Sequence, residues 1–332
     1  MTDSKGASAR TRRKPAGPRA PRTEARPTVL EGGLPLGKTG KIHPSLGLGL
    51  WALGRWRPED EARTKATIGH ALERGIRWFD TAEVYGSGRS ERILGDVFYR
   101  AGPAAQDALI VTKLSWEHLR APQVRPALMG SLQRLGRSRV DLYLVHSPDT
   151  HVPIPETMGA LEALWKDEKI GAIGVSNFSL AQLTEARAAL RETDVVVNQV
   201  LYNLLERTDG DEVIDYCRKE GIVVEAYTPL ARGLLAGRYL SGTVPAGPAR
   251  STGLRDRLPE VQARARKLHE LATDAKVPMA SLALHWLAKR GAAPLFGASR
   301  PEQVDEILEA WASRPSDAVL ARADAIAQGH AD

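Results

Sequence analysis

The sequence predicts an α/β fold of the (β/α)8 TIM-barrel type, in which eight parallel strands form a closed barrel inside a ring of helices. Eight short apolar runs follow one another from residue 46 onward, and longer amphipathic segments separate most of them. The runs are rich in Val, Ile and Leu and lack strict alternation of apolar and polar residues, which is typical of strands buried on both faces. Single strands that alternate with single helices favour a parallel sheet.

A doubly wound sheet is the alternative α/β architecture. It would need fewer strands, and a G-x-G-x-x-G fingerprint after the first of them. Residues 47–52 read GLGLWA and lack the third glycine of that fingerprint. The barrel is therefore the prediction.

The predicted elements follow in regular order along the chain. The strands are Leu46–Leu53, Ile76–Asp80, Leu109–Lys113, Val140–Val145, Ile170–Val175, Val195–Gln199, Ile222–Tyr227 and Pro294–Gly297. The helices include Pro58–Arg74, Val124–Leu135, Ile154–Lys166, Leu180–Leu190, Asp211–Glu220, Leu258–Ala275 and Pro301–Ala312. Ser179 and Ser299 precede two of these helices and are predicted to cap them, because a serine hydroxyl accepts a hydrogen bond from a free backbone N–H at a helix start.

Two segments depart from this repeating pattern. Residues 31–43 contain several glycines and are predicted to form a short hairpin that covers the bottom of the barrel. Residues 240–257 are rich in Gly, Pro, Ser and Arg and are predicted to form a long loop after the seventh barrel strand. Loops of this length are often functional, so a lid over the site and plain disorder both stay open for it.

The composition excludes several classes of protein. Of 332 residues, 42% are hydrophobic, and the single cysteine, Cys217, excludes an internal disulfide framework and suits a reducing compartment. No apolar run approaches the roughly 20 residues needed to span a bilayer. The N-terminal residues contain no apolar stretch of the kind found in secretory signals. A soluble cytoplasmic protein with no membrane partner is predicted.

The positive charge of the chain lies in its first 27 residues. They contain eight basic and two acidic residues, which accounts for the whole net charge of +6, so the rest is neutral. With four prolines, this tail is predicted to be disordered, and residues 28–332 form the barrel domain. A neutral extension is the favoured interpretation of the tail. A weak arm for anionic surfaces and a transit peptide are the alternatives, and no specific nucleic-acid partner is expected.

Polar residues stand at the ends of three consecutive predicted strands, where the active sites of barrels lie. They are Asp80, Lys113 and His146, spaced 33 residues apart, and Tyr85 follows Asp80 in the next loop. Each residue taken singly has an ordinary structural explanation, such as a helix cap or a solvated strand end. Their matching positions on neighbouring strands favour a shared chemical role.

Such a group of side chains supports proton transfer to a carbonyl oxygen. A free tyrosine has a pKa of about 10, and a nearby ammonium group favours its phenolate and lowers that pKa. Lys113 is predicted to supply this charge, and Asp80 to pair with Lys113. His146 is predicted to hydrogen-bond the substrate oxygen. Since no side chain supplies a hydride, the hydride must come from elsewhere.

From about residue 30 to 313, the sequence resembles the aldo-keto reductase family. The resemblance is carried by seven motifs in order: FDTAEVYGSGRSE (79–91), VTK (111–113), LVHSPD (144–149), GVSNF (174–178), NQVLYN (198–203), YTPLARGLL (227–235) and GASRPEQ (297–303). It implies an NADPH-dependent oxidoreductase that reduces an aldehyde or ketone to the alcohol.

The resemblance also implies roles for individual residues. Asp80, Tyr85, Lys113 and His146 correspond to the family's catalytic tetrad, with Tyr85 as proton donor. The implied cofactor-binding residues are Ser176, Asn177 and Gln199 for the nicotinamide carboxamide, Tyr227 for its ring, Leu230, Arg232 and Gly233 for the pyrophosphate, and Ser299, Arg300, Gln303 and Glu306 for the adenosine 2′-phosphate. Trp51 and Trp116 are expected to line the substrate pocket, or else to pack at the barrel mouth.

The residues themselves support a phosphate site in the last two loops, because barrels of this type often bind phosphate after strands seven and eight. Arginine suits a phosphate monoester, which favours NADPH over NADH. The chain departs from the family pattern at Ser147, Phe296 and Ile307. At position 307 the family usually has an adenine-contacting Asn, so adenine affinity is expected to be weaker.

Two other functions are possible for a barrel with these residues. A metal-dependent hydrolase is rejected because the sequence has no paired metal-ligand motif, and His146, Asp149 and His151 are close only along the chain. An NADPH-binding redox sensor or regulatory subunit with little turnover is the alternative to the reductase.

Overall fold

The computed structural model describes Met1 and residues 33–52, 60–207, 210–241 and 258–329. The predicted N-terminal tail, apart from Met1, lies outside these ranges, as do residues 242–257 of the predicted long loop. The expectations for both segments therefore stay predictions.

The core of the fold is a closed barrel of eight parallel strands, as predicted. Each strand pairs with its neighbour in chain order, and the last closes against the first. The barrel strands are β3 (Gly47–Gly49), β4 (Trp78–Asp80), β5 (Leu109–Leu114), β6 (Val140–Val145), β7 (Ile170–Ser176), β8 (Val195–Leu201), β9 (Val223–Tyr227) and β10 (Ala292–Gly297). Only β3 is markedly shorter than predicted, because the chain turns into a 3-10 helix at Leu50–Ala52.

Ten α-helices are found in the described ranges. They are α1 (Glu61–Glu73), α2 (Arg89–Ala101), α3 (Ala121–Leu135), α4 (Ile154–Lys166), α5 (Leu180–Ala188), α6 (Gly210–Glu220), α7 (Leu258–Asp274), α8 (Met279–Lys289), α9 (Pro301–Ala312) and α10 (Asp317–Gln328). The seven named from sequence are among them, and α2, α8 and α10 add to these. None of the ten is long and apolar enough to cross a membrane.

The two predicted serine caps differ in outcome. Ser179 forms a reciprocal capping box at α5, in which its hydroxyl accepts from the Gln182 backbone and its own N–H donates to the Gln182 side chain. The prediction for Ser299 is wrong, because α9 begins at Pro301 and Arg300 is its N-cap residue. Ser299 lies one residue too early to reach the free N–H groups and instead donates to the Gln303 side chain.

The predicted N-terminal hairpin is present. Strands β1 (Leu34–Pro35) and β2 (Ile42–His43) pair in antiparallel fashion, and the turn between them closes with a hydrogen bond from the Leu36 backbone to Lys41. Leu36 is buried in one apolar cluster with side chains inside the barrel, among them Trp78 and Leu109, the first residues of β4 and β5. The hairpin therefore covers the bottom of the barrel, opposite the carboxyl ends of the strands.

The apolar cluster inside the barrel includes one large aromatic side chain. Trp78 of β4 is fully buried, and it fits because residue 47 of the neighbouring strand β3 is a glycine. A Cβ atom at Gly47 would lie 2.2 Å from two carbon atoms of the Trp78 indole. The close approach of this ring to the β3 backbone thus requires glycine.

This packing predicts opposite effects for two glycine substitutions. Gly47→Ala must displace the buried indole, and we expect it to lower the free energy of unfolding by about 1–3 kcal/mol. Gly69, inside α1, has open space where a Cβ would lie. Gly69→Ala should raise the free energy of unfolding by about 0.5–1 kcal/mol, because alanine favours the helix. Urea denaturation of both variants provides the measurement. A neutral Gly47→Ala would contradict the proposed packing.

Candidate active site

The polar residues predicted at the strand ends meet at the carboxyl end of the barrel. Asp80 is the last residue of β4, Lys113 is the next-to-last residue of β5, and His146 directly follows β6. Tyr85 lies in the loop between β4 and α2 and is largely buried. The structure therefore brings all four predicted tetrad residues together.

Lys113 is the centre of this group. Its side chain is 0% exposed, and its Nζ donates to Asp80 Oδ1 at 2.6 Å, to the Thr81 carbonyl at 2.9 Å and to the Tyr85 hydroxyl at 3.2 Å. The same Nζ lies 4.9 Å from the centre of the Tyr85 ring. Three acceptors match the three hydrogens of an ammonium group, which fixes the cation against the phenol.

The pKa values of the group reflect burial as well as charge. Burial raises the pKa of Asp80 to about 6, although Lys113 lowers it, and the Glu225 carboxylate adds to the rise. Burial lowers the pKa of Lys113, but Asp80 and Tyr85 outweigh this effect and the net shift is upward. Asp80 and Lys113 therefore form an ion pair at neutral pH.

The expected lowering of the Tyr85 pKa is wrong as a net effect. Lys113 does act in the predicted direction, but burial raises the pKa of Tyr85 more than Lys113 lowers it. The phenol lies in the barrel mouth with little water around it, so its charged form is disfavoured. Tyr85 is therefore protonated at neutral pH.

His146 stands beside Tyr85 as a neutral ring. Burial, followed by the charge of Lys113, lowers the pKa of His146 to about 3. Its ring lies 5.6 Å from that of Tyr85, in an edge-to-face arrangement. The buried Nδ1 atom has no hydrogen-bond partner among the described residues. A neutral imidazole carries one N–H, so His146 can still donate a single hydrogen bond to a ligand.

The two tryptophans proposed as pocket walls lie at this mouth. The Trp51 ring is 5.1 Å from Tyr85, and the Trp116 ring is 5.9 Å from His146. They are 54% and 46% exposed, which is unusual for so large an apolar side chain. Half-exposed aromatic rings next to polar groups are typical of ligand sites.

Three of the implied nicotinamide-binding residues form a connected group beside the tetrad. Asn177 follows β7 in a left-handed conformation with φ of 60°. Its amide donates to the His146 carbonyl at 3.0 Å and to the Ser176 hydroxyl at 3.1 Å, and its Oδ1 accepts from the Tyr227 hydroxyl at 2.9 Å. These bonds join the ends of β6, β7 and β9 next to His146.

Gln199 of β8 reaches the tetrad directly. Its Nε2 donates to Asp80 Oδ2 at 2.9 Å and to Glu225 Oε2 at 2.6 Å. Glu225 is a site residue that was not predicted from the sequence. A signal was available, because an acidic residue inside the apolar run of β9 must be paired if it is buried.

The loop after β9 contains the residues implied for the pyrophosphate. Leu230 precedes the 3-10 helix Ala231–Ala236, in which Arg232 and Gly233 have positive φ angles of 57° and 106°. The Arg232 guanidinium donates two hydrogen bonds of 2.8 Å to the Glu206 carboxylate. This side chain thus has a protein partner, which the sequence did not predict.

The residues implied for the adenosine phosphate lie at the start of α9. The Gln303 side chain accepts from the Ser299 backbone and hydroxyl, which ties this turn together. Arg300 is 49% exposed and lies 3.5 Å from Glu306. Arg238 lies 3.4 Å from the same carboxylate and was not singled out from sequence, although it is a second cation in the loop after β9.

Two of the three residues at which the chain departs from the family pattern lie inside the protein. Ile307 and Phe296 are buried in the apolar core. The weaker adenine affinity expected from Ile307 stays a prediction. Within the described ranges, no three His, Cys, Asp or Glu side chains are grouped as metal ligands.

The chain is similar to known proteins along most of its length. The family model described as the aldo/keto reductase family matches residues 45–328. The chain is 33% identical to the aldo-keto reductase YhdN of Bacillus subtilis (strain 168), over 82% of this chain and 86% of that protein. It is 31% identical to the NADH-specific methylglyoxal reductase of Escherichia coli (strain K12), over 86% of this chain and 95% of that protein.

Solved structures agree with the fold. The glycerol dehydrogenase AKR11B4 from Gluconobacter oxydans superposes with a TM-score of 0.79 at 30% identity, covering 90% of this chain and 95% of that one. An aldo/keto reductase from Klebsiella pneumoniae in complex with NADP and acetate has a TM-score of 0.70 at 26% identity, covering 88% and 94%. The match to the family model and the assembled tetrad give one conclusion: this chain belongs to the aldo/keto reductase family of oxidoreductases.

Proposed function

We propose that this protein is an NADPH-dependent reductase that converts an aldehyde or ketone to its alcohol, with Tyr85 as the proton donor. The observation that carries the proposal is the contact of the buried Lys113 ammonium with both Asp80 and the Tyr85 hydroxyl. We place the enzyme in the cytoplasm, since its one cysteine, Cys217, is free and buried.

The described residues fit a nicotinamide cofactor. The Asn177 and Gln199 side chains donate hydrogen bonds to the tetrad residues His146 and Asp80, and His146 Nδ1 has no partner among the described residues. Two half-exposed arginines, Arg238 and Arg300, lie near the start of α9, where backbone N–H groups favour a phosphate. The Klebsiella pneumoniae relative carries NADP, whereas the Escherichia coli relative is named NADH-specific, so the arginines are the basis for the choice of NADPH.

The residues that would hold each part of the cofactor are those that the family resemblance implies. Ser176, Asn177 and Gln199 would bind the carboxamide, Tyr227 the nicotinamide ring, and the loop Leu230, Arg232 and Gly233 the pyrophosphate. Ser299, Arg300, Gln303 and Glu306 would form the adenosine 2′-phosphate site. When bound, the reduced cofactor supplies the hydride.

The side chains of the tetrad supply the proton. Tyr85, protonated at neutral pH, donates its hydroxyl proton to the carbonyl oxygen of the substrate as negative charge develops there. The Lys113 ammonium, 3.2 Å from the phenol oxygen, stabilises the resulting phenolate, and Asp80 holds that ammonium in place. Neutral His146 donates a hydrogen bond that orients the substrate oxygen, and Trp51 and Trp116 cover its apolar part.

The proton-donor role predicts the effect of Tyr85→Phe. We expect this variant to lose about 10²-fold to 10⁴-fold in kcat for NADPH oxidation with a small aldehyde, because general acid catalysis is lost. Its Kd for NADPH should change by less than about threefold, because the phenyl ring remains. Tyr99→Phe is the control, since Tyr99 is exposed on α2.

Normal turnover by Tyr85→Phe would refute the proton-donor role. Tight NADPH binding by the wild-type protein without turnover on any aldehyde, quinone or keto-sugar would favour the redox-sensor alternative instead.

The pKa of Asp80 predicts an acid limb in the activity. As the pH falls through about 6, Asp80 gains a proton and Lys113 loses its ionic partner. We therefore expect kcat/KM with a non-ionisable aldehyde to be constant near neutral pH and to fall below pH 6. Asp80→Asn, which carries no ionisable group there, should have a lower plateau and no such limb. An unchanged limb in Asp80→Asn would assign it to another group.

The phosphate assignment predicts a selective effect of Arg300→Gln. Loss of a charge-assisted hydrogen bond should weaken NADPH binding about tenfold or more and leave NADH binding nearly unchanged. Arg125→Gln is a matched control, because Arg125 on α3 has the same 49% exposure and pairs with Asp167. Fluorescence titration with both cofactors measures the effect. Equal losses for NADPH and NADH would refute the assignment.

A further inference from the structure

A line of buried polar side chains runs up the inside of the barrel from the hairpin to the tetrad. His43 Nε2 lies 2.8 Å from Glu225 Oε1, and the other Glu225 oxygen accepts from Gln199 at 2.6 Å. Gln199 in turn donates to Asp80 at 2.9 Å. All four side chains are buried, and direct hydrogen bonds between them link the bottom hairpin to the catalytic end.

The hydrogen bonds of His43 fix one shared proton between His43 and Glu225. His43 Nδ1 lies 2.8 Å from the Pro44 carbonyl, which can only accept, so Nδ1 carries a hydrogen. A second hydrogen must lie between Nε2 and Glu225 Oε1 to account for their contact. The pair is therefore either imidazolium with carboxylate or imidazole with carboxylic acid, and it has no net charge in either form.

The amide of Gln199 is held in one orientation by two carboxyl groups. Its Nε2 donates one hydrogen to Asp80 and the other to Glu225. A flip of the amide would place its carbonyl oxygen against acceptor oxygens of both residues. In the observed orientation, Oε1 makes no hydrogen bond with any described residue and stays an available acceptor.

We propose that His43 and Glu225 are positioning residues that lock the Gln199 amide, so that its Oε1 accepts from the carboxamide NH2 of nicotinamide and its Nε2 orients Asp80. This inference rests on the proposed function. Neither residue touches the reacting atoms, and both act through Gln199.

The arrangement does not conduct protons. Gln199 Nε2 is a donor to both neighbours, and a neutral amide nitrogen neither accepts nor passes on a proton. Stability alone also does not account for the pair, because apolar residues of similar size often replace a buried ion pair without loss of stability. Holding a directional group in place is the function that remains.

The test compares two ligands that differ only at the carboxamide. NADP+ carries the NH2 group, and its 3-acetylpyridine analogue has a methyl group there, which cannot donate to Gln199 Oε1. We expect the wild-type protein to bind NADP+ about tenfold more tightly than the analogue, measured by quenching of tryptophan fluorescence. The ratio used below is the Kd of the analogue divided by the Kd of NADP+. A ratio near one in the wild-type protein would overturn the inference.

Two substitutions at Glu225 should have opposite results. Glu225→Leu removes the acceptor, so Gln199 can pivot about its remaining bond to Asp80, and the ratio should fall at least threefold. Glu225→Gln should keep the wild-type ratio, because its NH2 can donate to a neutral His43 and its oxygen can accept from Gln199. A wild-type ratio in Glu225→Leu, or a lost ratio in Glu225→Gln, would contradict the proposal.

A double variant separates positioning from folding. His43→Leu combined with Glu225→Leu removes both polar partners, and its thermal stability should exceed that of Glu225→Leu alone. Its ligand ratio should nevertheless stay low. A wild-type ratio in a stable double variant would overturn the inference. Glu162→Leu is the control, since Glu162 is a buried carboxylate on α4, and it should lose stability but keep the ratio.

The two proposals fail in different ways. If the wild-type protein binds neither NADP+ nor the analogue, the proposed function is wrong. If it binds both and the Glu225 variants do not change the ratio, only the positioning role is wrong.

Discussion

The site depends on one buried charge, the ammonium group of Lys113. An isolated ammonium in such a place would lose its proton, because removal of water disfavours the charged form. Here Asp80, the Thr81 carbonyl and the Tyr85 hydroxyl accept all of its hydrogens. The three acceptors come from β4 and the loop after it, whereas the lysine comes from β5. The buried charge therefore depends on the pairing of β4 with β5, which couples the chemistry to the fold of the barrel.

The interior of the barrel is divided along its axis. Apolar side chains such as Trp78 and Leu36 fill the end covered by the hairpin, and polar groups lie toward the carboxyl ends of the strands. Glu225 and His43 cross this division, because their hydrogen bonds extend from the hairpin to Gln199. A buried polar line of this kind is stable only if each member is satisfied, so the hairpin contributes to the geometry of the opposite end.

Much of this arrangement could be predicted from the sequence. The apolar runs predicted all eight strands. The positions of Asp80, Lys113 and His146 at strand ends predicted that they lie at one edge of the barrel. The pairing of Asp80 with Lys113 was also predicted, but other pairs were beyond reach, because they depend on distances that the sequence does not contain. The contact of Arg232 with Glu206 and that of His43 with Glu225 join residues 26 and 182 positions apart. The direction of the Tyr85 pKa shift could not be predicted from the sequence either, because it depends on how much water the fold removes from around the phenol.

The arginines near α9 present a constraint on cofactor choice. Arg238 and Arg300 both point at Glu306, at 3.4 and 3.5 Å, and these long contacts between half-exposed groups contribute little stability. A phosphate monoester bound there would carry more negative charge than Glu306 and would accept from both guanidinium groups. The phosphate can accept these hydrogen bonds only if the two guanidinium groups turn from Glu306 toward it. In our proposal, preference for NADPH therefore requires that both arginines exchange Glu306 for the phosphate. This exchange costs little free energy, because the long contacts with Glu306 contribute little stability when they are present.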